Sequence, residues 1–332
     1  MSEKVIVALD AMGGDYAPAE QVKGAVEAVN ARDDIKVILV GLENNIKKEL
    51  EKYEYPKDCI EIAAASEIIT NDESPTIAIR EKKDSSLVVA MRLVREGKAD
   101  AVVSSGSTGA VLVGGQMIVG RIKGIKRAPL APFIPTGKGA SILIDCGANV
   151  DARPEHLVQF AQMGSIYFEN VIGKKNPTVG IVNIGAEEEK GNQLVKETYP
   201  LLKECNDINF IGNIEAREIP YGACDVIVTE AFVGNVILKF FEGVASTLLG
   251  SLKKGFMSTF RSKMGALLLK PALKETLAQF DVSDQGGAPL LGLNGLVVKA
   301  HGNAKSKETK TAIIQCITFK QQNINEKIKA NL

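Results

Sequence analysis

The chain has 332 residues, with 40 Lys and Arg against 40 Asp and Glu, 45% hydrophobic residues and no Trp. This excludes a disordered or fibrous chain in favour of one large or two ordinary globular domains, and zero net charge excludes a uniformly basic nucleic-acid binder. Five scattered cysteines (Cys59, Cys146, Cys205, Cys224, Cys316), no Cys-x-x-Cys pair and two histidines argue against a disulfide framework or a metal site, and for reduced thiols in a cytoplasm.

The N-terminus, MSEKVIVALD, runs directly into a strand-like segment, and no secretory signal is expected. Short β-branched runs then alternate with helix-period segments. The pattern predicts a strand over 4–10 and a helix over 19–30, a strand over 36–41 and a helix over 43–52, a strand over 99–105 and a helix over 107–119. It continues with strand 141–145 and helix 154–168, strand 178–184 and helix 190–204, strands 208–212 and 225–230, helix 234–249, strand 295–300 and a terminal helix from about 304. Continuously apolar strands between helices predict a doubly wound three-layer α/β/α fold on a mostly parallel sheet, in a single domain over 1–332. The longest apolar stretches, such as AVLVGG at 110–115, are far below the roughly 20 residues that cross a bilayer, and no membrane span is expected.

Ligands of such sheets bind in the loops that leave the C-terminal ends of the strands. The first of these loops surrounds Gly13 and Gly14 with Asp10 and Asp15; either the glycines make the turn while Asp15 caps the helix, or the acids are direct ligands. Neither Gly-x-Gly-x-x-Gly after this strand nor a P-loop string is present. The next loop, with Ser105, Gly106, Ser107 and Thr108, opens a helix and presents hydroxyls and pliable backbone suited to phosphate or a carboxylate; the alternative is a plain hydroxyl cap. From 101 to 144 there is no acid, while Arg121, Lys123, Lys126, Arg127 and Lys138 all occur there, either as a solvated loop or as an attractor for an anionic partner.

Asp145 and Asn149 end another strand, and His156 falls in the first turn of the next helix, where the positive helix end favours neutral imidazole. His301 is the second candidate for proton transfer, and Cys146 reads as a small buried hydrophobe. Lys190, Asn192 and Arg217 can neutralise phosphate or be solvated; Asn213, Glu215, Glu230 and Asn235 add hydrogen-bonding groups at neighbouring strand ends.

The segment 244–282 departs from the α/β rhythm. Apolar residues that include Phe256 and Phe260 alternate at helical spacing with Lys253, Lys254, Arg261, Lys263, Lys270 and Lys274, opposed up to position 280 only by Glu275, a local +5. This predicts a helical protrusion interrupted near Pro271, which packs in a dimer, lies on an anionic membrane surface, or does both.

The strings DAMGGDYAP (10–18), SGSTGA (105–110), GRIKGIKRAPLAP (120–132), DCGANVDARPEHLVQ (145–159), GIVNIGAEEEKGN (180–192), NFIGNIEARE (209–218), VGNVILK (233–239) and GGAPLLGLNGLVVKAHG (286–302) together resemble the PlsX-type phosphate acyltransferase family over nearly the whole chain. One departure is Thr229-Glu230-Ala231-Phe232, where the family has Thr-Asp-Gly-Phe. The resemblance implies transfer of a long-chain acyl group from acyl carrier protein to inorganic phosphate, with a membrane acyltransferase then moving it from acyl phosphate to glycerol 3-phosphate. It further implies a homodimer, a fold like that of the isocitrate and isopropylmalate dehydrogenases and phosphotransacetylase, no organic cofactor, and a cytoplasmic enzyme peripherally associated with membranes. Under this reading 105–108 cradle phosphate with Asn149 and Lys190, His156 or His301 serves the oxyanion or the leaving thiol, and the basic residues at 121–127 and 253–263 dock the acidic carrier protein or lipid. The rivals are a nucleotide-dependent dehydrogenase on the same fold and a non-catalytic membrane scaffold.

Overall fold

The computed structural model describes residues 4–278 and 286–332. In chain order the elements are β1 (Val5–Asp10), α1 (Ala19–Ala31), β2 (Ile35–Gly41), α2 (Glu43–Leu50), β3 (Ile60–Ala64), α3 (Pro75–Glu81), α4 (Ser86–Arg95), β4 (Ala101–Ser104) and α5 (Thr108–Gly114), continued by a π-turn to Val119. Next come β5 (Phe133–Thr136), β6 (Gly139–Ile144), α6 (Pro154–Ile172), β7 (Thr178–Asn183), α7 (Gln193–Glu204), β8 (Asn209–Glu215) and β9 (Val226–Val228). The series ends with α8 (Ala231–Phe256), α9 (Phe260–Ala278), β10 (Ala288–Leu290), β11 (Leu296–Lys299), α10 (Ser306–Gln321) and α11 (Ile324–Asn331).

The chain divides into two compact units, each with its own sheet. Unit 1 comprises Met1–Pro132, Ile166–Lys175 and Ser283–Leu332; unit 2 comprises Phe133–Ser165 and Asn176–Val282. The sheet of unit 1 has the order β10-β11-β4-β1-β2-β3, parallel except for β10, and that of unit 2 the order β5-β6-β9-β7-β8, parallel except for β5. The expected α/β architecture is present, with the single expected sheet built as two.

Val7, Ala8 and Leu9 of β1 are all almost fully buried, so both faces of this strand are covered and its sequence cannot alternate. In unit 1, α1 packs on α2 and α10, while α4 packs on α5, and both sets touch the sheet. Each fully buried Val, Leu or Ile of these strands stabilises by about 1.5–3 kcal/mol relative to exposure.

Several elements depart from expectation. β3, α3, α4, β5 and β10 escape the periodicity: β5 and β10 are antiparallel strands of 4 and 3 residues at sheet edges, each containing a proline. α7 starts only at Gln193 because Asn192 caps it, its Oδ1 accepting from the Val195 N–H at 2.9 Å. β8 runs on to Glu215, which puts Asn213 inside the strand. The break in the 244–282 segment falls at 257–259, not at Pro271, which lies within α9. There the Thr259 Oγ1 accepts from the Ser262 N–H at 3.0 Å and starts the second helix. Positions 279–282 of that segment lie outside the described residues.

Candidate active site

In the sheet of unit 1 the chain moves from β1 to β2 and β3 on one side, and to β4 and β11 on the other. β1 and β4 therefore flank a topological switch point, where α/β sheets bind ligands. The loop at 10–15 leaves β1 there and the loop at 104–110 leaves β4.

The two loops are joined by buried polar bonds. The Ser104 Oγ donates to the Asp10 Oδ2 at 2.7 Å and accepts from the Gly106 N–H at 3.0 Å. A side chain on Gly13 would begin 2.5 Å from the Asp10 Oδ2 and 2.7 Å from the Gly106 nitrogen, so only glycine lets the backbones approach this closely. The Asp15 N–H donates to the Gly302 carbonyl at 2.8 Å, which ties in the loop after β11 and the neighbouring His301. Burial pushes the Asp10 carboxyl up, while bonds from Ser86, Ser104 and the Met12 and Gly13 backbone pull it down.

Asp10, Gly13, Gly14, Asp15, Ser105, Gly106, Ser107, Thr108 and His301 thus all belong to the strand ends of unit 1. Ser105 is buried, its Cβ 2.8 Å from where a Gly14 side chain would begin, so the accessible hydroxyls of the loop are those of Ser107 and Thr108. Ser107 also caps the helix, its Oγ 3.5 Å from the Ala110 nitrogen.

The sequence reading passed over Lys299. It ends β11 directly beside Ser104 in register, and residues in register on parallel neighbours share a face. Its side chain is buried, its ammonium donates to the Ala300 carbonyl, and burial lowers its pKa from 10.5 to about 8 against the opposing pull of Asp10 and Asp15. A lysine closing an otherwise apolar strand, LVVK, was the available signal.

Unit 2 gathers a second set at the ends of β6 and β9. The fully buried Asp145 accepts from the Ala148 N–H at 3.1 Å, the Asn149 N–H at 2.8 Å and the Asn149 Nδ2 at 2.7 Å. Asn149 is thereby a buried partner of Asp145. The His156 Nδ1 accepts from the Arg153 N–H at 3.0 Å, so the ring is neutral with its proton on Nε2. Glu230 spends both carboxylate oxygens capping α8, at 2.6 Å from the Phe232 nitrogen and 2.8 Å from that of Val233. Asn235 lies one turn further along, facing Gly147. Cys146 is buried and burial pushes its thiol well above the ordinary value, as the hydrophobe reading expects.

Lys190 is exposed and paired with Glu187 at 2.8 Å, which raises its pKa, and Arg217 pairs with Glu215 at 2.9 Å. The Asn213 Nδ2 donates to the Glu187 carbonyl at 2.9 Å. Lys190 and Asn213, both bound to Glu187, brace the 185–192 loop. Among the described residues no three His, Cys, Asp or Glu side chains are placed to hold a metal ion.

Arg121, Lys123, Lys126 and Arg127 are exposed on one loop of unit 1, as are Lys253, Lys254, Arg261 and Lys263 on α8 and α9, where Phe256 is half-buried and Phe260 exposed. On α8, Phe232, Val236, Phe240, Val244, Leu248 and Leu252 form an exposed stripe at every fourth position. α8 has 26 residues and contains an 18-residue stretch of mean hydropathy 1.4, so it is long and apolar enough to cross a membrane, which the sequence reading did not expect.

A family model described as "Fatty acid synthesis protein" matches residues 5–327. The chain is 50% identical over 326 residues to a phosphate acyltransferase of Clostridium novyi (98% of each chain) and 53% identical over 322 residues to one of Alkaliphilus oremlandii (97% of this chain, 96% of that one). Among solved structures it is similar to a phosphotransacetylase from Streptococcus pyogenes (TM-score 0.62, 17% identity, 96% and 95% of the two chains) and to one from Staphylococcus aureus (TM-score 0.60, 18% identity, 96% and 94%). The structural likeness speaks for the fold, the sequence identity for the activity: the chain belongs to the PlsX-type phosphate acyltransferase family, and it is an acyltransferase that works with phosphate.

Proposed function

We propose that this chain moves a long-chain acyl group from the thioester of acyl carrier protein to inorganic phosphate, giving acyl phosphate and the free carrier thiol. The observation that carries this reading is the cluster of hydroxyls, close-packed glycine backbone and one buried ammonium at the strand switch point of unit 1. Phosphate is the nucleophile: its oxygen bonds the carbonyl carbon, the C–S bond breaks, and the electron pair leaves on sulfur, which takes up a proton. The protein's part is to position phosphate and stabilise the tetrahedral oxyanion, with no organic cofactor. Gly106, Ser107 and Thr108 cradle phosphate, and His301, at the neighbouring strand end of unit 1, is the candidate donor to oxyanion or thiolate. Asn149 and Lys190, engaged with Asp145 and Glu187, are assigned no phosphate contact.

The test mixes purified protein, long-chain acyl carrier protein and phosphate. Phosphate-dependent loss of thioester with formation of acyl phosphate is expected; a folded protein that shows no turnover refutes the reading. Replacing Ser107 and Thr108 together by Ala is expected to raise the KM for phosphate about tenfold, the scale of one or two lost hydrogen bonds. An unchanged KM removes the loop from the phosphate site.

The acyl phosphate is suited to a membrane acyltransferase acting on glycerol 3-phosphate, and the enzyme is cytoplasmic, homodimeric and peripherally membrane-bound. Arg121, Lys123, Lys126 and Arg127 dock the acidic carrier protein. The apolar stripe of α8, with the cations at 253–263, supports contact with an anionic lipid surface as well as dimer packing. Neutralising Lys253, Lys254 and Arg261 together is expected to abolish flotation with anionic liposomes while the dimer persists in size-exclusion chromatography. Unchanged flotation assigns the segment to dimer packing alone.

A further inference from the structure

Among the described residues Lys299 is the only buried lysine or arginine. An ammonium taken out of water is costly unless it is paired, and among the described residues no carboxylate comes within ion-pair distance of this one. One of its three N–H donors reaches the Ala300 carbonyl. Asp10 and Asp15, on the β1 side, act on it as charges at longer range; β4 presents the Ser104 hydroxyl, and His301 follows on its own strand end. A buried cation with spare donors, in register with the residue that anchors the glycine-serine loop, is arranged for an anionic ligand more than for the fold.

We propose that Lys299 is a further substrate-contacting residue of the phosphate site, its ammonium holding one oxygen of the attacking phosphate beside the loop at 105–108. This rests on the acyl-transfer reading above. Lysine suits the role because it is a compact point charge that serves a single oxyanion. It also offsets Asp10 and Asp15, whose charges would otherwise repel phosphate from the same strand ends. Because burial brings its pKa to about 8, the charge that holds phosphate is lost in mildly alkaline solution.

The test compares wild type with Lys299→Met across about pH 7 to about 9.5, at matched concentrations of phosphate dianion; the diagnostic part, above about pH 8, lies beyond the ordinary histidine range. Near pH 7, Lys299→Met is expected to raise the KM for phosphate roughly tenfold to hundredfold, as for loss of a charged hydrogen bond, with the KM for acyl carrier protein within about twofold. The wild-type KM for phosphate should climb above about pH 8, and that climb should vanish in the variant. A folded Lys299→Met protein with the wild-type KM, or with the same alkaline climb, overturns the proposal. Lys299→Gln, which keeps a polar end in the buried site, gives the same two readouts if the methionine variant does not fold. Calorimetric titration with inorganic phosphate alone separates the two readings. Wild type that binds phosphate without turnover sinks the acyl-carrier reaction, and binding that survives in Lys299→Met sinks the role of Lys299.

Discussion

Gly234→Ala is expected to destabilise the protein by about 3 kcal/mol or more, at the upper end of the range for overpacked cores, read as a lower melting temperature and an earlier denaturant midpoint. A Cβ on Gly234 would overlap the carbonyl oxygen of Asp145 and lie 3.0 Å from the Thr229 Cγ2. The obstacle is backbone, and it is held in place: the Asp145 N–H donates to the Thr229 carbonyl at 3.0 Å, and the Thr229 N–H to that of Ile144 at 2.7 Å. Any retreat of Asp145 would also break the three bonds its carboxylate accepts from 148 and 149. Gly243→Ala, in the same helix with nothing within 4 Å, is the control and should be neutral or stabilising by up to about 1 kcal/mol. Equal melting of the two variants would show that this contact does not govern the fold.

Lys299→Met is expected to raise stability at pH 7 even as it weakens phosphate binding. The folded pKa of about 8 lies below the ordinary 10.5. Between these values the unfolded chain holds a proton that the folded chain has released, so wild-type stability rises with pH through that window. Below about pH 8 the full penalty is present, on the order of 3 kcal/mol, and the methionine variant escapes it. Its advantage should therefore be greatest near pH 7 and fade toward pH 10.5 in denaturant titrations. A variant less stable than wild type at pH 7 would mean that the ammonium supports the fold. The combination of gained stability and lost affinity is the usual mark of a residue kept for function.

Most of the buried strands were legible because parallel strands covered on both faces are apolar runs, and β1, β2, β4, β7 and β11 each read so. The edge strands β5 and β10 were not, because 3 or 4 residues with a proline carry no period. Glycine-rich strand ends marked the right loops, but composition cannot tell a ligand from a brace. Glu230 was legible as an acid at a strand end; its engagement in capping α8 depends on where that helix begins. Lys190 was legible as a cation at a strand-end loop, whereas its ion pair with Glu187 depends on how that loop folds. Lys299 was hidden for the opposite reason, since a lysine near a strand end ordinarily reaches solvent, and its burial comes from neighbours far away in sequence.

The two units are written into the chain in an interleaved order. Every element assigned to unit 2 has been synthesised by Ala278, whereas unit 1 still lacks β10, β11, α10 and α11 at that point. β11 then takes its place beside β4, a strand made nearly two hundred residues earlier. During translation the four strands β4, β1, β2 and β3 must therefore wait, with one edge of β4 unpaired, until β11 leaves the ribosome. Such a long-range closure is slow compared with local pairing, and the waiting edge is the surface on which a chaperone would act.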